Sequence, residues 1–156
     1  MLRVRCFETE LAENGDVIGV GDVVKRMAVR HPMEHFGTEI DALWGFDSYG
    51  GPPDSEVITL TGEVTAIDAV YVELTADADG GWRPRLRSAR LEPLHSTADT
   101  VSPLPTILWE TPSPPDPTGH SYGTGYAIIT EGDTSFAGWV VTLQDEVSTP
   151  AVSPGG

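Results

Sequence analysis

A run of alternating apolar and polar residues near the middle of the chain gives the clearest structural signal. Residues 56–74 read EVITLTGEVTAIDAVYVEL, with apolar side chains at about every second position. This period of two is typical of a β-strand that buries one face. The alternation changes phase around Asp68, which predicts two antiparallel strands joined by a tight turn at residues 67–69.

Shorter alternating runs predict further strands on both sides of this hairpin, at residues 2–7, 17–20, 23–29, 107–109, 122–130 and 134–143. The runs at 17–20 and 23–29 are either two strands or one bent strand, divided at residues 21–22. Turn sequences separate several of these runs, among them Asn14-Gly15. The tripeptide Glu-Gly-Asp at 131–133 predicts that the last two runs form a terminal hairpin. Apolar residues spaced by three and four positions predict one short helix at residues 38–44.

These elements predict a mainly β fold: a single antiparallel, partly open barrel of the SH3-like or OB-like kind, with one short helix. A chain of 156 residues suits one domain, which at this size buries about 70% of the surface of its unfolded chain. We therefore assign residues 1–143 to a single β domain. Residues 144–156 lack apolar alternation and predict a disordered C-terminal tail.

The composition predicts a cytoplasmic protein. No apolar run approaches the ~20 residues of a membrane-spanning helix, and the N-terminus lacks the apolar segment of a secretory signal. Cys6 is the single cysteine, which excludes an internal disulfide and fits a reducing compartment. We expect Cys6 to be a small apolar filler in the first strand.

The formal net charge of −15 is the most unusual property of the chain. Residues 91–156 contain eight acidic residues and neither Lys nor Arg. Such a field disfavours nucleic acid and anionic membranes as partners and attracts basic protein surfaces, although it also favours solubility. We therefore predict a protein-binding module of the inhibitor, immunity or adaptor type that docks on a basic protein. The binding face is expected near four acids of this half: Glu110, Asp116, Glu131 and Asp133.

Arginines are concentrated in the segment WRPRLRSARLEPL, residues 82–94. Three of them share one face if the segment is extended: Arg83, Arg85 and Arg87. One interpretation is that these arginines pair with carboxylates of neighbouring strands, such as Glu63 and Glu73. The other is an anion site, because guanidinium groups bind anions through two parallel hydrogen bonds. An alternative function is therefore a small-ligand-binding barrel that uses aromatic residues and the strip at 83–90.

The sharpest catalytic motif is HPMEH at residues 31–35, which matches H-x-x-E-H. On a helix, His31 and His35 would lie on one face to bind zinc, with Glu34 as general base. This pattern gives a second alternative, a zinc-dependent hydrolase. Pro32 permits such a helix only if the helix begins there, and the sequence identifies no third ligand. We therefore predict a non-enzymatic protein without a cofactor.

Three short segments together resemble a family of small uncharacterised actinobacterial proteins that contain a domain of unknown function. The segments are VGDVV at 20–24, TGEVTAIDAV at 61–70 and GWVVTL at 138–143. In that family an N-terminal strand leads through a Gly-Asp turn and a variable middle to a Gly-x-Val hairpin and a terminal strand. This chain lacks the family's cysteine-rich segment near residues 12–16, and with it any metal site formed by those cysteines. The resemblance implies an all-β fold and no particular activity.

Overall fold

The structure is a computed structural model that describes most of the chain. The described residues are 1–13, 15–30, 40, 42–51, 53–103, 106–109 and 125–150. At 106–109 and 125–127 the description is limited to the backbone.

The described part of the chain is mainly β-structure, with 56% strand and 7% helix, which confirms the predicted fold class. Its strands are β1 (Leu2–Cys6), β2 (Val23–Arg30), β3 (Trp44–Phe46), β4 (Val57–Ala76), β5 (Trp82–Pro84), β6 (Arg90–Leu94), β7 (Thr106–Trp109), β8 (Gly125–Ile128) and β9 (Thr134–Pro150). The helical residues form one short α-helix, α1 (Glu8–Ala12), and a 3-10 turn at Thr97–Asp99.

Five of the described strands close a ring of backbone pairings. β1 lies parallel to β3 and antiparallel to β9. β2 is antiparallel to both β3 and β4, and β4 is antiparallel to β9, which completes the ring. β5 and β6 pair with the C-terminal half of β4, while β7 and β8 form a separate two-stranded sheet.

The central stretch of the chain is one strand and not the predicted hairpin. β4 runs without reversal from Val57 to Ala76, through the expected turn at residues 67–69. Its pairing with β9 shifts register at three places: Thr61/Glu63, Val64/Ala66 and Ala69/Tyr71. A β-bulge changes the phase of the side-chain alternation while the strand continues. The phase change near Asp68 was therefore the mark of an irregular long strand, and the predicted turn is wrong.

The predicted disordered tail is wrong for residues 144–150. β9 continues to Pro150 and pairs with β4 from Gln144 opposite Glu63 to Pro150 opposite Ile58. The side chains of this segment are exposed, so the backbone pairing requires no apolar alternation. Residues 151–156 lie outside the described part of the chain.

The predicted terminal hairpin is also wrong, because β8 pairs with β7 and not with β9. The turn at residues 130–133 instead directs the chain towards β4, where the N–H of Leu74 donates to the carbonyl of Asp133 at 2.8 Å. Of the helix predicted at 38–44, residues 38, 39 and 41 lie outside the described part of the chain. The described residues of that stretch are not helical: 40, 42 and 43 belong to no helix or strand, and Trp44 begins β3. The described α-helix lies directly after β1 instead.

Buried apolar side chains from the ring strands form the main core. Val4, Phe46, Leu60 and Val141 are almost completely inaccessible to solvent and belong to one cluster. Cys6 lies in the same cluster, as its expected role of apolar filler requires. Burial raises the pKa of the Cys6 thiol to about 12, so the thiol is neutral at physiological pH.

Candidate functional site

The candidate site is a groove along the outer edge of β2. One edge of β2 pairs with β4 over residues 23–29. The opposite edge pairs with β3, but only at residues 28–30. No described residue pairs with this outer edge at residues 23–25. The N-terminal half of β2 is therefore a sheet edge with an open side.

Hydrogen bonds at both ends of β2 show which of its residues face β4. The N–H of Arg30 donates to the carbonyl of Glu56, the residue before β4, at 3.0 Å. The carbonyl of Asp22, just before β2, accepts from the N–H of Val64 at 2.8 Å. Successive residues of a strand direct their backbone polar groups to opposite sides. The even-numbered residues of β2 therefore point these groups at β4.

The odd-numbered residues of β2 point to the outer edge. The carbonyl of Met27 shows this directly, because it accepts from the N–H of Asp47 beyond β3 at 3.1 Å. By the same alternation, the N–H and C=O groups of Val23 and Lys25 face the groove. The groove thus presents four backbone polar groups, each in the geometry of a strand that lacks its neighbour.

The groove has a volume of about 610 Å³, and its second wall is the segment 16–18. Two hydrogen bonds anchor this segment to Thr97. The N–H of Ile18 donates to the Thr97 hydroxyl at 3.0 Å, and the N–H of Thr97 donates to the carbonyl of Ile18 at 2.9 Å. Val17 and Val23 line the groove and are 57% and 73% exposed. The groove therefore combines open backbone groups with accessible apolar side chains.

A group of charged side chains joins the two walls. Arg26 forms ion pairs with Asp16 at 2.5 Å and with Glu10 at 3.7 Å. Glu10, on α1, is only 7% exposed and also accepts from the N–H of Ser48 at 3.2 Å and from the Ser48 hydroxyl. A buried carboxylate needs such partners, because an unpaired buried charge is strongly destabilising. This cluster fixes α1 and the turn at 47–50 against β2.

Of the two basic side chains that line the groove, one forms ion pairs within this cluster and the other makes none with a described residue. The charge of Arg26 is balanced by two carboxylates. Lys25 also lines the groove, is exposed, and makes no ion pair with a described residue. The sequence did single out the segment at 20–24, but not the groove. The sequence signal that points to this region is Arg26, which shares the inward face of β2 with Val24 and Ala28 and therefore needs a polar partner.

Two of the four acids predicted to bind a partner are described, and both make hydrogen bonds within the chain. The carboxylate of Glu131 accepts from the Thr75 hydroxyl at 2.6 Å, from the N–H of Ala76 at 2.9 Å and from Arg85 at 3.0 Å. These hydrogen bonds lower the pKa of Glu131 to about 2, and the one from Thr75 makes the largest contribution. The carboxylate of Asp133 accepts from Thr130, through its N–H at 2.8 Å and its hydroxyl at 2.9 Å. Glu110 and Asp116 lie outside the described residues.

The arginine strip does not form one surface with free guanidinium groups. Arg85 pairs with Glu73 at 2.6 Å and with Glu131 at 3.0 Å, and the hydrogen bond to Glu131 raises the pKa of Arg85. Arg83 lies in β5 opposite Thr75. Arg87 occupies the turn after β5 with a φ of 60°. At Arg85 the interpretation of carboxylate pairing therefore applies, with Glu73 as one of the acids that the sequence suggested.

Aromatic residues border a second, smaller cleft of about 280 Å³. Trp139 and Phe136 meet edge to face there, with ring centres 5.0 Å apart. The indole N–H of Trp139 donates to the Thr100 hydroxyl at 2.7 Å. Glu8 and Leu11 of α1 line the same cleft. Of the other tryptophans, Trp44 is half-buried and Trp82 is 38% exposed, while the side chain of Trp109 is not described.

The zinc-hydrolase motif cannot be placed, since His31, Glu34 and His35 lie outside the described residues. Among the described residues, no group of three or more His, Cys, Asp or Glu side chains could hold a metal ion. In the same part of the chain, no helix has the length and apolar character needed to cross a bilayer.

Comparison with known proteins gives no match: no protein-family model, no curated protein and no solved structure resembles the chain significantly. The resemblance to the actinobacterial family therefore stays a prediction. Functional conclusions rest on the geometry and charge of the chain itself.

Proposed function

We propose that the protein is a non-enzymatic binding module that docks on a basic protein partner. The observation that supports this role is an excess of negative charge that the protein's own cations do not neutralise. Four of the nine basic residues form ion pairs with described carboxylates: Arg26, Arg30, Arg85 and Arg90. Cations held in this way are less able to repel a basic partner, while the net charge of −15 attracts one.

The proposal predicts a strong dependence of partner capture on salt. Screening shortens the electrostatic range to about 8 Å at physiological ionic strength, compared with about 30 Å at 0.01 M. The protein should therefore capture basic proteins from a lysate of its source cell at low salt and lose most of them at high salt. Capture that is insensitive to salt, or that shows no enrichment of basic proteins, would contradict the proposal.

A charge-matched pair of variants tests whether the predicted acidic face is the contact surface. The first variant neutralises the four predicted acids: Glu110→Gln, Asp116→Asn, Glu131→Gln and Asp133→Asn. The control neutralises four exposed acids elsewhere: Asp54→Asn, Asp77→Asn, Asp79→Asn and Asp99→Asn. A specific face requires that the first variant lose capture and the control retain it. Equal losses would mean that these acids act through the overall field, and no loss in either would assign the charge to solubility.

A second candidate function is the binding of a small ligand in the aromatic cleft. The observation that favours it is the arrangement of Phe136 and Trp139 beside Glu8, whose carboxylate has no described partner. A volume of about 280 Å³ is just below the usual range of ligand sites, about 300–1,000 Å³. This cleft suits a small apolar amine, because an aromatic ring and a carboxylate both attract a cation.

Fluorescence distinguishes this second function from protein docking. Small aromatic amines should quench the emission of the wild-type protein, and Trp139→Phe should abolish the quenching while Trp82→Phe retains it. Quenching that survives Trp139→Phe, or that is absent from the wild type, rejects the cleft as the ligand site.

A further inference from the structure

We propose that the groove beside β2 binds an extended segment of the basic partner by β-strand addition. This inference rests on the proposed function and deepens it, because it names the place on the protein and the mode by which the partner is held. The feature that carries it is the half-occupied outer edge of β2.

β3 occupies this edge only at residues 28–30, and the turn at 47–50 then takes the chain out of the sheet. The place in the sheet beside residues 23–25 is therefore not filled by β3. There the N–H and C=O groups of Val23 and Lys25 face the groove. A strand placed about 4.8 Å from β2 would pair with these groups as a regular sheet neighbour. Backbone pairing of this kind accepts many sequences, so the side chains must supply the selectivity.

The side chains of the groove favour an occupant with apolar residues at alternate positions. Val17 and Val23 line the groove and are both more than half exposed. Every second side chain of an added strand points to the same face, so one set of its side chains can cover these valines. The other set points to solvent, where basic residues would experience the negative field of the protein.

The net charge of the chain favours a basic occupant over a second copy of this chain. The charge of Arg26 is balanced by Asp16 and Glu10. Asp22, in the turn before β2, also lines the groove, and its carboxylate accepts from the N–H of Gly19 at 2.8 Å. Two copies with a net charge of −15 each would repel one another. Lys25 makes no ion pair with a described residue, so it is a local positive charge that a basic occupant must accommodate, and a lysine on a sheet edge discourages indiscriminate pairing.

Two substitutions of Lys25 separate backbone pairing from charge. Lys25→Pro removes the N–H that faces the groove and leaves the pairing of β2 with β4 intact, because that N–H does not point at β4. Lys25→Thr removes the same positive charge and keeps the N–H. If only charge mattered, both variants would bind a basic peptide at least as tightly as the wild type.

The probe is an acetylated, amidated octapeptide of alternating lysine and valine, measured at low salt by fluorescence anisotropy. The wild type and Lys25→Thr should bind it with similar affinity, or Lys25→Thr more tightly. Lys25→Pro should bind roughly tenfold more weakly, as expected for one lost backbone hydrogen bond together with a proline ring on the edge. Equal affinity, or equal weakening, of the two variants overturns strand addition.

Amide hydrogen exchange provides a second readout on the unmodified protein. In the free protein the amides of Val23 and Lys25 should exchange fast, while those of Val24 and Arg26 are protected by β4. Peptide binding should protect Val23 and Lys25 specifically. Binding without this protection overturns strand addition but leaves charge-driven docking standing. Failure of the wild type to bind the peptide at low salt contradicts the proposed function as well.

Discussion

Gly138 lies where β9 crosses the end of β1, and its replacement by alanine tests how closely these strands approach. The residue has a φ of 95°, and a Cβ added to it would lie 2.6 Å from the carbonyl oxygen of Cys6 and 3.4 Å from the Cα of Phe7. Both atoms belong to the backbone of β1 or its end, so no side-chain rotation can relieve the contact. Gly138→Ala must therefore strain its own backbone and displace the neighbouring strand.

The two effects can be estimated separately. A side chain at a strongly unfavourable φ costs about 1–3 kcal/mol. Forcing extra volume into a closely packed site typically costs about 1–3 kcal/mol more. We therefore expect Gly138→Ala to lower the free energy of unfolding by about 2–6 kcal/mol. A typical domain has about 5–15 kcal/mol in total, so part of the variant is expected to be unfolded at 37 °C.

Two neighbouring glycines in the turn between β4 and β5 are matched controls. Gly80 has a φ of 85° and no atom within 4 Å of an added Cβ, so Gly80→Ala should show the backbone strain alone. Gly81 also has open space and lacks the positive φ. Gly81→Ala should therefore be neutral or stabilise the fold by about 0.4–1 kcal/mol, because alanine restricts the unfolded chain.

Urea unfolding followed by tryptophan fluorescence measures all three variants. The expected order of stability is Gly81→Ala at or above the wild type, then Gly80→Ala, then Gly138→Ala. If Gly138→Ala and Gly80→Ala differ by less than about 0.5 kcal/mol, near the error for independent sites, the close approach of β9 to Cys6 does not exist in solution.

Three further predictions follow from individual contacts. The pKa of Glu131 is lowered from 4.5 to about 2, so its ionised form stabilises the fold above about pH 5, and this contribution is lost as the pH falls towards 2. The difference in unfolding free energy between the wild type and Glu131→Gln, measured in urea, should therefore shrink over that pH range. A constant difference would contradict the assigned contacts. The Cys6 thiol is buried, with a pKa near 12, so alkylation at pH 8 should occur only as fast as the protein opens; rapid labelling without urea would disprove this burial. Ser48→Ala removes the hydroxyl that donates to the buried Glu10 carboxylate and should lower the free energy of unfolding by about 1.5–3 kcal/mol. A change below about 0.5 kcal/mol would mean that Arg26 and the Ser48 N–H satisfy the Glu10 carboxylate by themselves.

The fold class was predictable because it depends on local patterns. Alternating apolar residues report a half-buried strand wherever they occur, and that signal identified β1, β2, β4 and the first part of β9. The same signal fails where a strand is regular in its backbone but not in its side chains. Bulges in β4 imitated a turn near Asp68, and the exposed residues 144–150 imitated a tail although they are paired.

The contacts of Glu131 show why the candidate acidic face was harder to predict. Its carboxylate reaches Thr75, Ala76 and Arg85, which lie 46 to 56 positions away in the chain. The sequence shows a surplus of acids near the C-terminus, and nothing local indicates which acid is already used by an arginine. Charge totals therefore give only an expectation about the kind of partner, while the acids that remain available depend on pairings across β4, β5 and the turn before β9.

The open edge of β2 was beyond prediction for a related reason. Whether Val23 and Lys25 face a neighbour depends on β3 being three residues long while β2 is eight, and on the turn at 47–50 leaving the sheet. The sequence of β2 carries the same alternation that it would show with both edges covered, because alternation reports the faces of a sheet and not its edges. Val17 and Val23 accordingly resemble core residues in the sequence, yet both are largely exposed in the structure. Apolar residues of a predicted strand that prove accessible beside unpaired backbone mark a place where the sheet can accept one more strand.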